Sequence, residues 1–355
     1  MEPRQRVLDA MKRRRKPDHV PFEISFGAFT PRLMKTYKEK TGSDLPPEEY
    51  YNFDTRNVFP DQSIQLTDFT RFFPKKPGNE ATFNEWGIGM MPTIYEIPDY
   101  CYHPLAGLNN ENQINDFPWP DLGDKYRYIE VVKKVKDYHD RGYAVNGEMY
   151  QTVYETAWLM RGFEQIMLDF YENAEVAHAI FENLTSIRIN QAINFAKAGV
   201  DIIRIGDDIV SQQSNLFGSD IFDKFFKWRL KKIIDAAKGV NPDILIFYHS
   251  CGKVEGVIDD LIDVGIDILN PLQPECNNLK MINDKYKNRL SFWGGIVVQS
   301  VMPHGTPDGV HAKVKETINI FGQNGGFLIA PAHILDPSVP WENVIAFLDA
   351  VKHQS

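Results

Sequence analysis

The sequence predicts an α/β protein, a (β/α)₈ TIM-type barrel with an irregular N-terminal extension, and three observations carry that expectation. From residue 140 onward, short and almost continuously apolar runs alternate with helix-length amphipathic segments, the pattern of a parallel sheet buried on both faces. The length of 355 residues suits a single barrel, since such barrels run from roughly 200 to 400 residues as one unit. Nearly every apolar run ends on a polar residue, and the carboxyl ends of barrel strands are where active sites are built. An open doubly wound sheet would leave the same alternation.

Taken in order, residues 3–15 read as a helix, which Lys16-Pro17 breaks, and residues 20–25 offer a short strand. Residues 1–120 otherwise show little clean periodicity; aromatics and prolines such as Phe59-Pro60 and Pro118-Trp119-Pro120 suggest capping segments or lid loops on the same domain. The regular part, 140–355, places strands at 143–148, 201–206, 244–248, 267–270, 290–293 and 326–330. Helices are expected near 154–170, 175–198, 220–238, 254–264, 307–322 and 341–352, with Thr306 capping the fifth and Pro307 at its first position. Six units, the early strand and one more hidden in the irregular region make eight.

Composition narrows the partners. A net charge of −9 opposes binding to a phosphate backbone, so nucleic acid is not expected. The basic run Lys12-Arg13-Arg14-Arg15-Lys16 reads as a solvated helix end. No apolar run reaches the length of a membrane span, and the N-terminus lacks the apolar stretch of a secretory signal, so no membrane and a cytoplasmic location are expected. Three cysteines in a chain of this length do not form a disulfide framework; they are available to bind metal or are buried as small hydrophobes.

The strand ends carry the chemistry. His249-Ser250-Cys251 puts an imidazole and a thiol two residues apart, where alternate side chains face one way, and both groups are preferred zinc ligands. His333 or Cys276 could supply a third ligand and Glu148 a fourth; alternatively His249 is satisfied in a polar network and Cys251 is inert. Asp207-Asp208 follow a buried strand, and since neighbours on an extended chain point oppositely, one of them is expected to face the pocket as general acid/base or substrate clamp; the alternative role is to cap the following loop or helix. Asp207, Asp208 and Glu148 are therefore the catalytic candidates. Asn270, Gln273, Gly294 and Gly295, at the next strand ends, are the candidates for cofactor contact, the glycines by allowing close backbone approach.

Tyr248-His249-Ser250-Cys251-Gly252, Phe292-Trp293-Gly294-Gly295 and Leu328-Ile329-Ala330-Pro331-Ala332-His333, in that order, resemble the uroporphyrinogen decarboxylase superfamily. The resemblance implies a single barrel domain over 1–355 and one of two activities. Its decarboxylases act on a tetrapyrrole without metal, through an arginine-rich segment near the N-terminus; this chain has Pro21-Phe22-Glu23-Ile24-Ser25-Phe26 there, with no arginine until Arg32. Arg4, Arg6 or Arg32 would have to replace those arginines. Its corrinoid-dependent methyltransferases hold zinc through His-x-Cys and a later cysteine; His249 and Cys251 match the first two ligands, and His333 stands in the third position. The expectation is a zinc-assisted methyltransferase passing a methyl group between a corrinoid such as methylcobalamin, held on a carrier protein, and a small-molecule donor or acceptor. A tetrapyrrole decarboxylase is the alternative enzyme, and a non-catalytic corrinoid- or tetrapyrrole-binding protein the alternative from another class.

Overall fold

A computed structural model describes residues 1–24, 29–65, 67–73 and 77–354. Its strands are β1 (Thr55–Val58), β2 (Thr82–Phe83), β3 (Gly89–Met91), β4 (Asp99–Tyr102), β5 (Ala144–Tyr150), β6 (Ile202–Gly206), β7 (Leu245–His249), β8 (Ile268–Asn270), β9 (Ser291–Ile296) and β10 (Phe327–Pro331). Seven of them form one parallel sheet in the order β1-β5-β6-β7-β8-β9-β10. Strands β6 to β10 are buried at every position, which is why they read as nearly continuous apolar runs, with Arg204 of β6 the charged exception in mid-strand.

The ring closes through the segment around Phe22. Phe22 bridges Ile329 of β10 in parallel sense; Glu23 N–H donates to Ile329 O at 3.3 Å, Ile329 N–H to Pro21 O at 2.9 Å, and Asp54 N–H to Phe22 O at 3.2 Å. The expected strand at 20–25 is thus an extended closing segment with one bridge, its last residue outside those described, and β1 is the strand hidden in the irregular region. Architecture follows the barrel expectation.

Boundaries differ where local chemistry intervenes. The helix expected over 154–170 is two helices, Tyr154–Arg161 and Phe163–Glu172, because Gly162 sits at φ 94° between them. Thr306 Oγ1 accepts from Gly309 N–H, with Pro307 opening the helix Pro307–Phe321 as read. The helices Pro31–Thr41, Ile129–Asp140 and Leu279–Tyr286 were not anticipated; the first two bury only two residues each, so their apolar stripe is too narrow to stand out. The N-terminal part also holds a small antiparallel sheet, β2-β3-β4.

The helix Pro3–Met11 closes the base of the barrel. Val7, Ala10 and Met11 pack on the inward residues Ala144, Ile202, Leu245 and Leu328, and the first two residues of the basic run after it bond to distant segments, Lys12 to Asp243 and Arg13 to Ser291 and Arg289 O. Above that apolar layer the interior turns polar: Arg204 of β6 pairs with Glu23 at 2.8 Å and Glu148 at 3.4 Å, and Trp293 Nε1–H donates to Glu23 at 3.1 Å. Among the described residues no helix is long and apolar enough to cross a membrane.

Candidate active site

Strands β6 and β7 run side by side, Gly206 opposite His249. A Cβ on Gly206 would lie 2.6 Å from His249 Cβ, so only glycine lets the two strand ends approach this closely. Beyond these ends the chain presents Asp208 from one side and Cys251 from the other. His249 Nε2 stands 3.5 Å from Cys251 Sγ and 3.8 Å from Asp208 Oδ1. One ligand atom from each of Asp208, His249 and Cys251 lies within 4.8 Å of the other two, a possible metal site. Asp208 also accepts the Cys251 N–H at 2.7 Å, which ties the thiol-bearing loop to the carboxylate.

The imidazole is aimed by Asn270. The amide group of Asn270 donates to Trp293 O at 3.0 Å, which leaves its Oδ1 facing His249 Nδ1 at 2.5 Å. An oxygen there accepts, so Nδ1 carries the proton and Nε2 turns its lone pair toward Cys251 and Asp208. An outer partner that fixes the tautomer in this way is the usual companion of a metal-binding histidine.

The donor set suits a divalent metal of intermediate softness. Sulfur, imidazole nitrogen and carboxylate oxygen all bind zinc, and a cation would relieve the charges that otherwise push the Cys251 thiol well up, chiefly burial and then the Asp208 carboxylate. A cavity of about 380 Å³ opens onto the set, lined by Asp208, Cys251, Gln273, His333 and Asp336 with apolar walls that include Ile97, Val298, Leu335 and Val339. A larger cleft of about 500 Å³, between residues 16–20 and the two C-terminal helices, lies at the opposite end of the strands.

Other candidates go elsewhere. Asp207 is buried and accepts from the backbone N–H of Val153 and Glu155 at 3.0 and 2.9 Å, capping the start of the helix Tyr154–Arg161; burial raises its pKa to about 7 despite those bonds. Glu148 sits in the barrel interior on Arg204, its pKa raised by burial to about 7. Gln273 Oε1 accepts the Gly252 N–H at 3.1 Å and so steadies the Cys251 loop from within the cavity wall. Gly294, at φ 117°, clears Pro271 O, which a Cβ would meet at 2.4 Å, and Gly295 packs on Thr317; both serve strand packing here. His333 lines the cavity with its ring centroid 6.3 Å from that of His249, and burial lowers its pKa. The Cys276 thiol points to Gln273 O at 3.7 Å.

Glu155 was not foreseen. Its carboxyl receives the Asp208 backbone N–H, and burial together with Asp208 and Asp207 pushes its pKa well up. It lies in the first turn of the helix after β5, so the strand-end rule, extended a few residues into the next helix, would have found it.

Residues 111–354 match the uroporphyrinogen decarboxylase (URO-D) family. The chain is similar to the methylcobamide:CoM methyltransferase MtaA of Methanosarcina barkeri, 29% identical over 178 residues, which is 48% of each protein; it therefore spans about half the length of that relative. It is also similar to a uroporphyrinogen decarboxylase of Rickettsia bellii, 26% identical over 84% of this chain and 80% of that one. A solved methyltransferase from Methanosarcina mazei superposes with a TM-score of 0.68 at 20% identity, covering 99% of this chain and 98% of that one, which speaks to the fold. With more than half its length inside the family match and the barrel in place, the chain belongs to the uroporphyrinogen decarboxylase family.

Proposed function

We propose that this protein is a zinc-dependent methyltransferase that passes a methyl group between a corrinoid, carried on a partner protein, and a small molecule held in the cavity. The observation that carries the reading is the convergence of Asp208, His249 and Cys251 within 4.8 Å at the strand ends; similarity to a methylcobamide:CoM methyltransferase supports the corrinoid. Zinc held there would supply Lewis acidity, lowering the pKa of a bound acceptor and fixing it for in-line transfer. Cys251 would bind as thiolate and Asp208 as carboxylate, while Asn270 keeps His249 in the tautomer that offers Nε2. Leu335 and Val339, both buried, supply apolar wall beside the substrate space.

Decarboxylation of a tetrapyrrole is the weaker reading, because the arginines it needs are engaged. Arg4 pairs with Asp201 and Arg6 with Asp18 and Asp54 at the base of the barrel, and Arg32 holds Glu96 and Ile94 O. In this proposal the third protein ligand is Asp208, and His333 faces the substrate space. Elemental analysis of purified protein tests it: about one zinc per chain, lost in Cys251→Ala and Asp208→Asn and kept in His333→Ala, is expected. Full zinc in Asp208→Asn with loss in His333→Ala would reassign the third ligand; turnover of uroporphyrinogen at ordinary enzyme rates would overturn the methyltransferase.

A further inference from the structure

We infer that the cavity selects a small substrate without net negative charge, and that Asp336 sets this preference. The inference rests on the methyltransferase reading and names its substrate class. Two carboxylates, Asp208 and Asp336, line the cavity from opposite strand ends, and among the described residues its wall contains neither lysine nor arginine. Asp208 belongs to the donor set, so a divalent ion bound to it and to the Cys251 thiolate would leave that set close to neutral. Asp336 remains.

Its carboxylate is pinned where it is. Oδ1 accepts from the Ser338 backbone N–H at 2.7 Å and from the Ser338 hydroxyl at 2.5 Å, and the half-buried side chain shares the wall with Ile97, Leu335 and Val339. No ion pair to lysine or arginine reaches it among the described residues; the pairs nearest the site involve Asp208 with His249. An anionic substrate would therefore meet a fixed negative charge on the cavity wall, whereas an ammonium or an uncharged group would not be repelled by it.

Three thiols of matched length separate the possibilities: cysteamine (cationic), 2-mercaptoethanol (neutral) and 2-mercaptoethanesulfonate (anionic). Binding is read from the thiolate-to-metal absorption of the cobalt(II)-substituted full-length protein, at low salt. Cysteamine should bind at least about tenfold more tightly than 2-mercaptoethanesulfonate, with 2-mercaptoethanol between them, and Asp336→Asn should shrink that ratio toward one while leaving the cobalt spectrum without thiol unchanged. Tighter or equal binding of the sulfonate in the parent protein overturns the inference, whatever the variant does. An unchanged ratio in a variant with an intact cobalt spectrum removes Asp336 as its source. If none of the three perturbs the cobalt spectrum, the cavity does not bring a small thiol to the metal and the inference falls, while the zinc content of the parent protein still decides the methyltransferase reading.

Discussion

Two groups of buried charge occupy the same barrel one layer apart, and they are built on opposite terms. In the interior, Arg204 is 1% exposed and shared between Glu23 and Glu148, its guanidinium lying 4.4 Å above the Trp293 ring. Thr55 completes Glu23 at 2.6 Å. At the mouth, Asp208, His249 and Cys251 converge on one another with no lysine or arginine among them, and the Asp208 side chain is 42% exposed to the cavity. Tyr150 separates the two, its hydroxyl 3.3 Å from Arg204 and its ring edge-on to His249. Charge paired inside the barrel supports the fold; donors that converge without a protein cation are what the proposed metal would need.

The sharpest break of this comparison is Arg204→Met. Removing the guanidinium strands two carboxyl groups in the interior, and a loss of about 3–5 kcal/mol of stability is expected. Urea unfolding measures it, and a loss below about 1 kcal/mol would show that the interior pair does not hold the barrel together.

Glu148→Gln tests the same network through pH. Burial raises the folded pKa of Glu148 to about 7 from an ordinary 4.5, so its contribution is complete below the ordinary value and fades as pH rises through about 7. The parent should lose up to about 3 kcal/mol between pH 4.5 and 8 from this group. Glutamine, neutral throughout, should remove that part of the slope while matching the parent at low pH; identical slopes in both proteins would mean that Glu148 is ionised across the range.

At the mouth the expected losses are in metal binding. Cys251→Ala should weaken zinc affinity by about a hundredfold, or about 2.7 kcal/mol, with far-UV circular dichroism unchanged. A loss of stability to urea comparable to that of Arg204→Met would erase the distinction between the two regions. Asn270→Ala, which frees the imidazole without removing a ligand, should cost about tenfold in affinity; chelator competition reads both, and an unaffected Asn270→Ala would show that Trp293 and Asn270 do not fix the His249 tautomer.

Sequence reasoning reached the barrel because its evidence is local. Strands buried on both faces are largely apolar, and β6 to β10 are buried throughout and apolar apart from Arg204 in β6 and the polar residues at strand ends. The His249-x-Cys251 pair was legible for the same reason: two-residue alternation at a strand end sends both side chains one way. It was also legible that one of Asp207 and Asp208 would face the pocket. Which one was not, because the choice depends on amide donors at Val153 and Glu155, more than fifty residues away in the chain, that capture Asp207 and leave Asp208 to the site. Asn270 looked like a cofactor contact until Trp293 O turned its amide toward His249, and Glu148 looked catalytic until Arg204 and Glu23, the latter 181 residues from its partner, enclosed it. Residue types, periodicity and strand ends belong to the sequence, since a backbone of fixed geometry imposes them one segment at a time. The partner each buried polar group finds was decided only by the tertiary structure, since hydrogen bonds between distant segments exist only once the ring has closed.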